Sequence, residues 1–197
     1  MKKQKICIIG GSLTGLVTAI SLSKLNCKID LITGNLVKNF ESSRTIAVSE
    51  NNFHFLNKLN ISKSLKKEIW TCSKMKLYTE VKSEKFSEIF ELNKEGKNEN
   101  IFYMLENSKI MKFMINKIEK IKSISLKKNK KVSSIYTSGS LKRVKFNNNI
   151  SKYNLVIVCS GHNSTLIKNL FNDKIIKNSY KEFAVTTIIN HMSLKNN

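Results

Sequence analysis

The residues best suited to chemistry lie near the N-terminus, in the run "IIGGSLTGLVTA". Read as G-x-G-x-x-G, it has Gly10 as the first glycine and Gly15 as the third, with Ser12 in place of the second. Gly10 permits a tight turn after a strand that ends at Gly10 and Gly11, and Gly15 lets a helix approach a sheet. Ser12 is small enough for a pyrophosphate to come near the backbone. The amides of Leu13 and Thr14, with the positive end of the helix dipole, then face the phosphates.

A site of this kind places a carboxylate at the end of the second strand, where it accepts hydrogen bonds from the adenosine ribose. Here that position is Thr33, which offers one hydroxyl and no charge. Adenosine binding is then weaker, or is completed elsewhere, with Glu41 as a candidate helper. Arg44, in "SSRTIAVSE", has two readings: a planar fork that grips phosphate or carboxylate, or a surface charge. The histidines, His54, His162 and His191, lack the short spacings of zinc ligands, and no metal site is expected.

The elements that must position these residues follow from periodicity. Lys5 to Ile9 reads as a buried parallel strand and Leu13 to Leu25 as a helix with one apolar face; "KIDLIT", Lys28 to Thr33, reads as a second strand. Together they make a right-handed parallel crossover. Val48 to Leu59 is expected to be helical, and "TCSKMKLYTEV" with "FSEIFEL" to form antiparallel strands. Lys94 to Asn100 is a turn or loop, and Asn107 opens a helix reaching about Ile121. Short strands are predicted over Ser123 to Lys127, Val132 to Thr137, Leu141 to Phe146 and Asn154 to Cys159. A helix over Ser164 to Phe171 and a strand over Phe183 to Asn190 complete the pattern.

A formal net charge of +21 ordinarily points to nucleic acid or an anionic membrane surface. All the positive side chains but Arg44 and Arg143 are lysine, however; asparagine and isoleucine abound and proline is absent, as in an AT-rich coding sequence. The lysines are scattered along the chain, no nucleic-acid motif is recognisable, and nucleic acid is not the expected partner. Loose contact with an anionic membrane remains compatible with this surface. No apolar run approaches the roughly 20 residues of a membrane span, and a cytoplasmic protein is expected. Cys7, Cys27, Cys72 and Cys159 have no CxxC spacing and read as buried free thiols.

The segments "KICIIGGSLTGLVTAISLSKLNCKIDLIT", "RTIAVSENNFHFLNKLNI", "LENSKIMKFMINKI" and "YNLVIVCSGHNSTLIKNLF" occur in an order and spacing that resemble the flavin-dependent aromatic monooxygenases. They look most like the ubiquinone-biosynthesis hydroxylases, which have the para-hydroxybenzoate hydroxylase fold. The resemblance covers nearly the whole chain. It implies an α/β fold: a Rossmann-like FAD-binding βαβ domain, residues 1–72 and 105–176, interleaved with an incomplete antiparallel-sheet substrate lobe, residues 73–104 and 177–197.

By the same resemblance Gly10 to Gly15 hold the FAD pyrophosphate, Thr33 sits at the ribose, Arg44 reaches the cofactor from its loop and Asn107 lies near the flavin. "CSGHNS" falls where the family has an Asp-Gly motif associated with FAD and NAD(P)H; Ser160 replaces the aspartate and Gly161 remains. Ile167 stands where many members have arginine, with Lys168 beside it. The family carries a further Gly-Asp motif beyond the region matched. The expectation is therefore an N-terminal half: a truncated product, half of a split enzyme or a degenerate relative.

The implied reaction is hydroxylation of a polyprenyl phenol by dioxygen, with NAD(P)H as reductant and FAD performing the hard step. No catalytic side chain is assigned. Two alternatives stand beside it: a non-catalytic flavin- or nucleotide-binding fragment that needs a complementing C-terminal chain, and a basic nucleic-acid-binding protein.

Overall fold

The computed structural model describes residues 3–36, 44–81, 84–93, 100–161 and 164–171, with Phe183 and Val185. In chain order the elements begin with β1 (Gln4–Ile9), α1 (Leu13–Leu22), β2 (Cys27–Ile32), β3 (Thr45–Ser49) and α2 (Glu50–Lys58). A 3-10 turn, Ser62–Glu68, leads to β4 (Ile69–Cys72), β5 (Lys74–Val81), β6 (Glu84–Asn93) and β7 (Phe102–Glu106). Next come α3 (Asn107–Glu119), β8 (Ile124–Lys127), β9 (Val132–Ser138) and β10 (Leu141–Phe146). The last are β11 (Asn149–Tyr153), β12 (Leu155–Val158) and α4 (Thr165–Phe171). Glu41, His162, His191, the Lys94 to Asn100 turn up to its last residue, and the Phe183 to Asn190 strand apart from Phe183 and Val185 lie outside the described residues.

Two compact units divide the chain: Met1–Phe40 with Met111–Ala184, and Glu41–Ile110 with Val185–Asn197. The first is built on a parallel sheet of order β12-β1-β2-β8. Ile6 to Ile9 are all buried, as a strand covered on both faces requires. Leu16, Ala19 and Ile20 of α1 are buried at helical spacing and lie over β1 and β2. In a second cluster Val144, Phe146 and Tyr153, from the antiparallel meander β9-β10-β11, pack with Cys7, Ile9, Ile32 and Leu166. Each fully buried side chain of this size contributes about 1.5–3 kcal/mol. Asn154 stitches the meander to the sheet: its amide donates to the Lys5 carbonyl at 2.8 Å, and its Oδ1 accepts from the Lys5 amide at 2.8 Å.

The second unit holds an antiparallel sheet of order β3-β7-β4 and a separate hairpin, β5-β6. Phe53 of α2 stacks on Tyr103 of β7, with ring centroids 3.7 Å apart. Cross-strand pairs Met75↔Leu92 and Leu77↔Phe90 put apolar side chains on one hairpin face, while Lys74 and Lys76 pair with Glu91 on the other. Leu77, Phe90 and Leu92 remain exposed.

The α/β class expected from the sequence is borne out, a parallel sheet accompanied by antiparallel ones. Several local expectations need correction. Val48 does not begin a helix: it pairs with Tyr103 in β3, and α2 starts only after Ser49, whose extended backbone sits at the helix entrance. "TCSKMKLYTEV" is not one strand, because the chain changes sheet at Ser73, β4 pairing with β7 and β5 with β6. α1 stops at Leu22, leaving Leu25 exposed. All four cysteines are free, but only Cys7 and Cys27 are buried; Cys72 and Cys159 are half-buried. Among the described residues no helix is long and apolar enough to cross a membrane.

Candidate functional site

In the first unit the strand order reverses between β1 and β12, since β2 and β8 lie on the other side of β1. Crevices at the C-terminal ends of strands at such a point are where open α/β sheets bind ligands. Gly10, at the end of β1, has φ +125°, and a Cβ there would come within 2.3 Å of the Cys159 carbonyl oxygen. A Cβ on Gly15 would lie 2.1 Å from the Gly10 carbonyl oxygen. Backbone therefore meets backbone at both positions, and only glycine fits. Gly11 is almost as tight, because its Cβ would meet Leu36 Cδ1 at 2.7 Å.

Ser12 occupies the N-cap position of α1, yet its hydroxyl does not cap the helix. It donates to the Cys159 carbonyl at 3.0 Å instead, tying the turn to the end of β12. The opening amides of an α-helix have no acceptor of their own. In α1 no side chain caps that first turn, and no acidic residue lies in it. Leu13 is half-buried and Thr14 exposed, so the mouth of the helix opens to solvent with its partial positive charge uncovered.

A cavity of about 720 Å³ adjoins this turn, bordered by Gly10, Gly34, Asn35, Lys130, Lys131 and Ser160 among others. That volume lies within the usual range for small-molecule sites. Two buried hydroxyls flank the turn and have no hydrogen-bond partner among the described residues, Thr33 Oγ1 after β2 and Ser160 Oγ after β12. An unmatched buried group costs about 1–3 kcal/mol. A polar ligand at this end of the sheet would relieve such a cost at Ser160, which borders the cavity. Gly161 follows at φ +78°, with open space around its would-be Cβ.

The cradle fits a diphosphate: a narrow glycine turn, uncapped helix amides and no acidic side chain in the first turn. The ribose end departs from the usual pattern. Thr33 is 1% exposed and its methyl lies near Gly11, so no carboxylate stands at the end of β2.

Gly10, Gly11, Ser12, Leu13, Thr14, Gly15, Thr33, Ser160 and Gly161 all fall in the first unit. Arg44 and Asn107 fall in the second and are neighbours there, the Asn107 amide donating to the Arg44 carbonyl at 2.9 Å. Arg44 is exposed, and Asn107 opens α3.

Sequence reasoning missed a buried polar group beneath the cradle. Asp30, inside β2, is 6% exposed and accepts a 2.8 Å hydrogen bond from the Tyr153 hydroxyl. Lys5 Nζ and Lys127 Nζ lie 3.1 and 3.2 Å from the same carboxylate. The signal was present: a lone carboxylate in an apolar strand must find partners. Burial by itself would raise the Asp30 carboxyl, but the Tyr153 hydrogen bond and the two lysines outweigh it and hold it below its ordinary value. Burial, then the Asp30 charge, pushes the neighbouring Cys7 thiol up to about 12. At pH 8 the native Cys7 thiol should therefore react about a thousandfold more slowly than an ordinary one. Peptide mapping after brief exposure to a thiol reagent checks this; rapid native labelling of Cys7 would contradict it.

No protein-family model matches the sequence, and no curated protein matches it either. Solved structures do. The p-nitrophenol 4-monooxygenase PnpA of Pseudomonas putida DLL-E4 superposes at TM-score 0.69 with 15% identity, over 86% of this chain and 44% of that one. The 2,6-dihydroxypyridine-3-hydroxylase of Arthrobacter nicotinovorans gives 0.67 and 16%, over 87% and 40%. CtdE, solved in complex with FAD, gives 0.64 and 12%, over 85% and 41%. The chain shares the fold of these proteins. The chain spans under half the length of each of these three proteins.

Proposed function

We propose that this chain is the FAD-binding portion of a flavin-dependent monooxygenase. The observation that carries the reading is the uncapped mouth of α1 beside Gly10 and Gly15, a cradle shaped and charged for a diphosphate. The amides of Leu13 and Thr14 would hold the phosphates, with Ser12 fixing the turn through Cys159. Ser160 and Gly161 would lie along the cofactor at the end of β12. FAD, when bound, would supply the activation of dioxygen, and the protein would orient it and exclude water. The roles that the sequence resemblance gives Arg44, Asn107 and Thr33 belong to the same proposal. So do the domain limits, 1–72 with 105–176 and 73–104 with 177–197.

The finer reading is a hydroxylase of polyprenyl phenols in ubiquinone biosynthesis, reduced by NAD(P)H. It is supported by the order of the four sequence segments, and the lysine-rich surface suits a substrate held in an anionic membrane.

A second reading is a flavin-binding fragment that works only with a complementing polypeptide. The β5-β6 hairpin favours it: a two-stranded hairpin is marginal alone, and this one exposes Leu77, Phe90 and Leu92 on its apolar face.

Titration with FAD, followed by flavin fluorescence, tests both. Saturable quenching by the purified chain is expected under the first reading. Quenching only after addition of a C-terminal polypeptide from a full-length monooxygenase of this fold would support the second. If neither FAD nor ADP is taken up in either arrangement, the diphosphate cradle is misread and both proposals fall.

A further inference from the structure

The end of the cradle that would receive the ribose carries positive charge where a carboxylate is usual. The short link between β8 and β9, residues 128–131, runs beside the end of β2: the Asn129 amide donates to the Gly34 carbonyl at 3.1 Å and the Lys130 amide to the Thr33 carbonyl at 2.9 Å. Asn147 holds the link from the other side. Its Oδ1 accepts from the Lys131 amide at 3.1 Å, and its own amide donates to the Lys131 carbonyl at 3.1 Å. The backbone of Lys130 and Lys131 is thus fixed at the rim of the same 720 Å³ cavity that Gly10, Gly34 and Asn35 line.

Among the described residues no acidic side chain lines that cavity. The neighbouring lysines are otherwise engaged, Lys127 with Asp30 and Lys128 with Glu119. Among the described residues neither Lys130 nor Lys131 has an ion-pair partner. In dinucleotide folds a carboxylate after the second strand accepts the ribose 2′-hydroxyl and repels a 2′-phosphate, whereas a cation there accommodates one.

We propose that the cradle takes, as a second ligand class, adenine dinucleotides phosphorylated on the ribose 2′ oxygen, with Lys130 and Lys131 receiving that phosphate. The inference rests on the diphosphate reading of Gly10 to Gly15 and adds a specificity to it. The 2′-phosphorylated ligand and FAD would then compete for one cradle.

NADP⁺ and NAD⁺ differ only in the 2′-phosphate, so titration of the full chain with each, at one ionic strength, isolates the effect. ADP serves as the independent probe of the diphosphate cradle. Binding of NADP⁺ about tenfold tighter than NAD⁺, with displacement of ADP, is expected from one charge-assisted contact. The double variant Lys130→Ala/Lys131→Ala should erase the preference, with NADP⁺ losing about tenfold more affinity than NAD⁺. Gly34→Asp should reverse it, because a side chain at Gly34 meets nothing within 4 Å and restores a carboxylate at the rim.

Equal affinities with ADP still displaced would overturn the specificity and leave the cradle standing. A preference that survives the double variant would trace to the overall charge of the chain and would also overturn it. NADP⁺ uptake without displacement of ADP places the ligand elsewhere, with the same consequence. Failure of all three nucleotides to bind removes the cradle itself.

Discussion

Gly15→Ala should lower nucleotide affinity about a hundredfold, the effect of losing roughly two amide contacts to phosphate. The added methyl would lie 2.1 Å from the Gly10 carbonyl oxygen, so α1 must move away from the turn. Displacing the helix displaces the amides of Leu13 and Thr14, which are the proposed phosphate donors. Overpacking at a buried backbone contact also costs about 1–3 kcal/mol of stability. Gly34→Ala supplies the control, since nothing lies within 4 Å of its Cβ and its φ is ordinary; it should change neither property appreciably. FAD or ADP titration, with circular dichroism to confirm folding, reads both effects. A folded Gly15→Ala protein that binds as the parent does would show that ligand does not enter through the mouth of α1.

That cradle was legible in the sequence because each of its signals is local. An apolar run, two glycines at the proper separation and a helical apolar stripe all fall within Gln4 to Leu22. The two lysines at the rim of the cavity were not legible. Lys130 and Lys131 sit in a chain dense with lysine, and only the hydrogen bonds to Thr33, Gly34 and Asn147 single them out. β11 escaped notice for a related reason: in "NISKY" only Tyr153 is buried, so no run of apolar residues announces a strand. β7 was missed because it looks like the lead-in to α3, and its identity depends on pairing with β3 and β4 on either side. The break at Ser73 has no strong turn chemistry; the chain changes partners there because two different sheets claim its halves.

Asp30 illustrates the limit most sharply, since its hydroxyl partner Tyr153 lies 123 positions away in the chain. Asp30→Ala should cost about 2–4 kcal/mol, below the full price of a buried ion pair because Lys5 and Lys127 are 40% and 28% exposed and regain water. It also takes away the carboxylate acceptor of the buried Tyr153 hydroxyl. Asp30→Asn keeps an acceptor for that hydroxyl and should lose less.

The parent carries an acid-side pH signature that both variants abolish. The folded-state Asp30 carboxyl titrates below its ordinary value of 3.8, so the unfolded chain binds its proton first as the pH falls. The stabilisation is therefore fully present above that value and is lost as the pH drops through it toward the folded one. Burial and the Asp30 bond raise the Tyr153 hydroxyl, so its contribution is complete below its ordinary value of 10.0 and fades as the pH climbs past it. Tyr153→Phe should remove the alkaline limb and also weaken the acid one, because the Asp30 carboxyl loses the hydrogen bond that helps to lower it. The probe must report the first unit. Trp70, the single tryptophan, lies in the second and would miss the transition. Hydrogen exchange of the β1 and β2 amides between pH 3 and pH 6 reads the right unit, since main-chain protection there follows the local opening free energy. Equal acid sensitivity of parent and Asp30→Asn in those strands would mean that the ion cluster contributes nothing to holding β2 in the sheet.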